Sequence, residues 1–109
     1  MILDVWHWHH SGGTTQDILN TPKSRIVHVH VSDARPMHAE QVRDDMRWLP
    51  GEGVIDLVGF FKALKAIGYR GGVAPETIGA RIPEGMPPEE SARIALEATL
   101  KVMRKAGVA

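Results

Sequence analysis

Ionisable side chains gather where three apolar runs end: Asp4 with His7, His28 with His30, and Glu76. If those runs are neighbouring parallel strands, one Asp, one His and one Glu reach the same end of a sheet and converge within a few ångströms. In parallel α/β folds that is the end where ligands bind, because the loops there vary freely and helix N-termini point at it. Two carboxylates and an imidazole form an oxygen-rich site for a divalent metal ion, suited to Mn²⁺, Mg²⁺, Co²⁺ or Zn²⁺. Simpler roles stand beside this one. A strand-end Asp is usually a turn or helix cap, strand histidines are more often satisfied core or rim residues, and Glu76 before Thr77 could be a solvated loop carboxylate. His9, His10 and His38 have no partner that the sequence names. Trp6, Trp8 and Trp48 are most economically packing residues, although an aromatic ring beside a polar site, as Trp6 is, also serves as a stacking platform for a sugar.

The elements that must position these residues follow from periodicity and punctuation. Residues 1–6 form an apolar run broken only by Asp4 and followed by the polar cluster Ser11-Gly12-Gly13-Thr14-Thr15, which predicts a buried first strand. A short helix is expected over residues 15–20, capped by Thr14 or Thr15 and closed by Pro22. Over residues 25–31, Val27, Val29 and Val31 alternate with Ile26, His28 and His30, a period of two that puts both histidines on one face of a second strand. Residues 33–53 are polar and longer than a connection needs, hence a candidate functional loop with a helical turn near 39–44. Asp56 then caps a helix in which Leu57, Phe60, Phe61, Leu64 and Ile67 recur at helical spacing until Gly68. A third strand over residues 71–75 ends at Glu76, a Gly/Pro-containing loop spans 77–86, and a last helix runs over 88–105 with proline in its first turn. Strands alternating with helices in the order βαβαβα imply an α/β fold of parallel strands joined by right-handed crossovers.

Composition narrows the partners. At 109 residues the chain has room for one modest core, so a single domain over 1–109 is the default. Thirteen basic residues balance thirteen acidic ones, which gives no positive field to hold a phosphate backbone, so nucleic acid is not a favoured ligand. The absence of cysteine leaves any metal to His and carboxylates and fits a reducing compartment. No basic leader or long apolar run marks a membrane span, and the expectation is a cytoplasmic chain without a membrane partner.

Four segments recur in a family's order: Leu3-Asp4-Val5-Trp6-His7; Val27-His28-Val29-His30-Val31 with Asp33; Arg47-Trp48-Leu49-Pro50-Gly51-Glu52-Gly53 with Ile55-Asp56; and Gly68-Tyr69-Arg70-Gly71 leading to Glu76. In this the chain resembles the xylose isomerase-like (β/α)₈ barrel superfamily, which includes ketose 3-epimerases, hydroxypyruvate isomerases, inosose dehydratases and zinc-dependent apurinic endonucleases. The resemblance implies a partial TIM barrel holding strands six to eight with their helices. It implies Asp4, His30 and Glu76 as metal ligands, with His28 one step deeper on the barrel-facing side. His7 and Arg47 would contact the substrate beside the metal, and Glu76 and Arg47 would be catalytic. The implied activity is isomerisation or epimerisation of a sugar, sugar phosphate or polyol: proton transfer next to a carbonyl through an enediolate. An inosose dehydratase-like lyase is the alternative enzyme. The endonuclease branch needs an Asp-x-His pair before the glycine turn, and here Asp45-Met46-Arg47 lacks the histidine.

A complete barrel needs roughly 250 residues, and the family's fifth-strand glutamate, its fourth ligand and second acid/base, has no counterpart here. A truncated gene product, or a non-catalytic fragment that pairs with another chain, is therefore the competing expectation. Three parallel strands leave two edges open, which predicts self-association or a complementing chain. Arg81, in the loop over 77–86, is a further candidate substrate contact by position.

Overall fold

Along residues 28–31 the alternation does what a half-buried strand requires: Val29 and Val31 are fully buried, while His28 and His30 are partly exposed on the other face. The structure, a computed structural model, describes residues 1–34, 47–76 and 85–108. The expected helical turn near 39–44, most of the loop over 77–86, His38, Asp45 and Arg81 lie outside the described residues.

The elements are β1 (Ile2–Asp4), α1 (Val5–His10), α2 (Thr15–Leu19), a 3₁₀ turn (Lys23–Arg25), β2 (His28–Val31), β3 (Asp33–Ala34), β4 (Arg47–Trp48), α3 (Leu57–Ala66), β5 (Val73–Pro75) and α4 (Pro88–Lys105). Strands β1, β2 and β5 form a parallel sheet with β2 in the middle. Ile2, Leu3 and Asp4 pair with His28, Val29 and His30, and Val29, His30 and Val31 pair with Val73, Ala74 and Pro75. The outward face of this sheet packs on α3 and α4 through Val29, Val31, Phe60, Phe61, Leu64 and Val102. Phe60 and Phe61 are nearly inaccessible, their rings 5.5 Å apart edge to face, and they are the largest of the fully buried side chains.

Side-chain caps mark where α2 and α3 start. Thr14 and Asp17 form a reciprocal capping box on α2. The Gly59 N–H donates to Asp56 Oδ1 at the start of α3, and Gly68 at φ +80° follows that helix.

The second and third strands begin later than expected, at His28 and Val73, with Ile26 buried and Val27 exposed ahead of the second, and two further parts differ from the sequence-based expectation. The first strand stops at Asp4 instead of continuing to Trp6, and Val5–His10 is a helix. A short apolar run is ambiguous between strand and helix by periodicity. Here Asp4 settles it, because its Oδ1 accepts from the Trp6 and His7 N–H groups and satisfies two first-turn donors that a helix otherwise leaves open. His7 consequently stands on the exposed first turn of a helix. The segment over 33–53 contains two short strands, β3 and β4, paired antiparallel with Asp33 opposite Trp48 and Ala34 opposite Arg47.

Candidate functional site

Parallel register brings the ionisable residues together. Asp4 and His30 are direct neighbours across β1 and β2. Glu76 lies two residues beyond Ala74, the neighbour of His30, and therefore shares its face. Its backbone is fixed by the Glu76 N–H donating to the Val31 carbonyl at 2.8 Å, one step past the end of β5. His30 Nδ1 stands 3.8 Å from Asp4 Oδ2 and 3.8 Å from Glu76 Oε2, between the two carboxylates.

The two oxygens of Asp4 have different partners. Oδ1 caps α1, whereas Oδ2 accepts from Arg47 Nη1 at 2.7 Å. Arg47 comes from β4, is buried, and places its guanidinium 5.0 Å above the Trp6 ring. A second guanidinium nitrogen, Nη2, is 3.1 Å from His7 Nε2. Trp6 is itself only 4 % exposed, so its ring supports Arg47 and offers no open face for stacking. Asp4, His7, Arg47 and Trp6 thus form one contiguous group at the strand ends, with His30 and Glu76 beside it.

His28 sits one pleat below His30, with the two rings 5.2 Å apart and edge to face. A Cβ on Gly72 would stand 2.7 Å from His28 Nδ1, so this glycine makes the room that the lower ring fills. On α1, burial first, then the neighbouring His9 and His7, hold the His10 imidazole below its ordinary value, and its Nε2 is buried. A cavity beside β1 is lined by Asp4, His7, Trp8 and His10.

Two carboxylates and one imidazole on a single face fit a divalent ion in donor chemistry. Asp4 Oδ2 and Glu76 Oε2 both approach His30 Nδ1, although among the described residues no three His, Asp or Glu side chains stand close enough together to enclose an ion. In the sequence, Asp33 is part of a motif that gives it no role of its own. It is a buried carboxylate that grips the segment after β4 through N–H groups 18, 20 and 22 residues along the chain, a long-range contact that no local pattern announces.

The family described as xylose isomerase-like TIM barrel matches residues 1–105. An inosose isomerase of Bacillus licheniformis is 30% identical over 105 residues, covering 96% of this chain and 37% of that protein. An inosose dehydratase of Geobacillus thermodenitrificans is 38% identical over 82 residues, covering 65% of this chain and 28% of that protein. Among solved structures, the IolI protein with a bound zinc atom superposes with a TM-score of 0.87 at 27% identity, over 97% of this chain and 38% of IolI. A xylose isomerase domain protein from Alicyclobacillus acidocaldarius gives 0.81 at 35% identity, over 97% of this chain and 37% of that one. The chain therefore spans between about a quarter and two-fifths of the length of these relatives.

Proposed function

Because the chain belongs to the xylose isomerase-like TIM barrel family, we propose that it carries the sixth, seventh and eighth βα units of such a barrel, and that the parent activity is metal-assisted proton transfer next to a carbonyl of a sugar or polyol. The observation that carries this reading is the meeting of Asp4, His30 and Glu76 at one end of the parallel sheet, with His30 Nδ1 at 3.8 Å from each carboxylate.

Asp4 Oδ2, His30 Nδ1 and Glu76 Oε2 would hold the ion, for which zinc, manganese, magnesium and cobalt are the candidates. When bound, such an ion polarises a carbonyl and a neighbouring hydroxyl and so acidifies the hydrogen on the carbon between them. The remaining steps belong to side chains. Glu76, whose side chain is 36% exposed and so within a substrate's reach, is the base that removes this proton and the acid that delivers it to the former carbonyl carbon, the hydroxyl proton passing to the former carbonyl oxygen. Arg47 donates to substrate oxygen as negative charge develops there, in the buried setting where such a donor has most effect. His7, exposed and 3.1 Å from Arg47 Nη2, orients a substrate hydroxyl. Trp6 keeps the guanidinium in place from below.

A dehydratase reading is favoured by the 38% identity to an inosose dehydratase. It shares the proton removal by Glu76 and then expels the adjacent hydroxyl as water, with a proton returned to the leaving oxygen.

Product analysis separates the two. An assembled, metal-loaded form supplied with a keto-inositol yields an isomer in one case and a product lighter by one water in the other. If it converts neither ketoses nor keto-inositols, both enzyme readings fail.

A further inference from the structure

Asp33 stands apart from the reacting groups, yet its carboxylate is 1% exposed and accepts four backbone N–H donors. Oδ1 accepts from Ala34 at 2.9 Å and Ile55 at 3.0 Å. Oδ2 accepts from Gly51 and Gly53, each at 2.9 Å. Three of these donors lie 18, 20 and 22 residues along the chain, so the carboxylate closes a long excursion instead of capping a local turn. A buried carboxylate is costly unless hydrogen-bonded, and four N–H groups offset that cost only in this one arrangement of the segment.

The segment is built to fit around it. Gly51 has φ +92°, a conformation that side chains disfavour. A Cβ on Gly53 would collide with the Ala34 carbonyl oxygen and stand 2.6 Å from Asp33 Oδ1. The Val54 N–H donates to the same Ala34 carbonyl at 2.8 Å. Between Asp33 and this wrap lies β4, paired to β3 with Arg47 opposite Ala34. The backbone of Arg47 is therefore clamped by strand pairing on one side and, a few residues later, by the Asp33 carboxylate. From there its side chain reaches Asp4 and the Trp6 ring.

We infer that Asp33 is a positioning residue: its buried carboxylate fixes the segment 51–55 and thereby sets the guanidinium of Arg47 over Asp4 and Trp6. The functional weight of this inference rests on the reading above, in which Arg47 faces the substrate. The placement itself can be read without metal or substrate, so absence of turnover sinks that reading and leaves this one standing.

The test is side-chain NMR on the isotope-labelled chain, comparing the parent with Asp33→Asn and Gly53→Ala. In the parent, Arg47 side-chain protons are shifted upfield by the Trp6 ring and give cross-relaxation peaks to it. Asp33→Asn replaces an acceptor with a donor facing backbone N–H groups, and is expected to abolish both the upfield shift and the Arg47–Trp6 peaks while Leu3–Val29 and Val29–Val73 contacts in the sheet persist. Gly53→Ala displaces the same segment with the carboxylate intact, and the same loss is expected. Persistence of the Arg47–Trp6 peaks in either variant, with the amide signals of 51–55 moved, would overturn the inference. So would loss of the sheet contacts in both variants, because Asp33 would then hold the fold as a whole and not Arg47 in particular.

Discussion

Asp4 divides its carboxylate between two tasks, and the division can be measured. Oδ1 caps α1, while Oδ2 faces Arg47 and His30. Asp4→Asn keeps a carbonyl oxygen for the cap and removes the charge; Asp4→Ala removes both. Each loses the pairing with Arg47, so the stability difference between them reads the cap, about 1 kcal/mol by urea denaturation. Metal at a hundred times its Kd adds about 2.7 kcal/mol to a folded chain that binds it. In either variant combined with Glu76→Ala, the metal-dependent rise in Tm is expected to vanish. An unchanged rise would return both carboxylates to capping and surface roles. A second residue-scale expectation concerns His10, whose proton affinity is lowered by burial, then by His9 and His7. The folded chain binds this proton less readily than the unfolded chain, so stability is steady above about pH 6.5 and falls as pH drops through the interval below it. His10→Gln should flatten this part of the profile in denaturation midpoints taken between pH 5 and pH 8, taking these limits from roughly the span in which histidine titrates. A variant as steep as the parent would show that other groups set the slope.

Helix α3 is the element on which the sheet's outward face depends. Phe60→Ala, at a position with no exposure, is expected to cost about 3–5 kcal/mol through lost burial and the cavity left behind. A loss under about 1 kcal/mol in urea denaturation would mean that the core collapses around the gap. Helices of this kind are legible because one face repeats at helical spacing between a capping Asp56 and a terminating Gly68. The last helix, Pro88–Lys105, matches its expected bounds for the same reason. The alternation of valine and histidine likewise fixed the face on which His28 and His30 stand. Legibility ended where a single tertiary contact decided the structure. Nothing periodic separates strand from helix over Val5–His10, and the capping geometry of Asp4 decided it. The pairing of β3 with β4 and the grip of Asp33 on residues 51–55 are long-range, so no local pattern announces them. The same holds for the site: strand ends brought together Asp4, Glu76 and the His28/His30 pair, the resemblance singled out His30, and the seating of Arg47 on buried Trp6 needed the fold.

At the scale of the molecule, one sheet has two unequal faces. The outward face is covered by helices, whereas on the face that carries Asp4, His30 and Glu76, Ile2 is 58% exposed and His28, His30 and Ala74 are all partly open. Among the described residues no strand pairs with the outer edge of β1 or of β5. Parallel sheets are normally covered on both faces, and open edges present rows of unpaired N–H and carbonyl groups that template further pairing. The chain is nonetheless compact, with a radius of gyration of 13.6 Å against about 13 Å expected for a folded domain of this length. A folded unit with uncovered edges is expected to associate through them. Light scattering across a concentration series should therefore give a mass above that of one chain, with Ile2→Lys, which places a charge at the edge strand, shifting the distribution towards single chains. Coexpression with a chain that supplies the other strands of the barrel should compete with this association and raise the metal response together with solubility. A monodisperse monomer that unfolds cooperatively at every concentration would mean that the open face and edges are tolerated as they stand, and that completion of the site does not proceed through them.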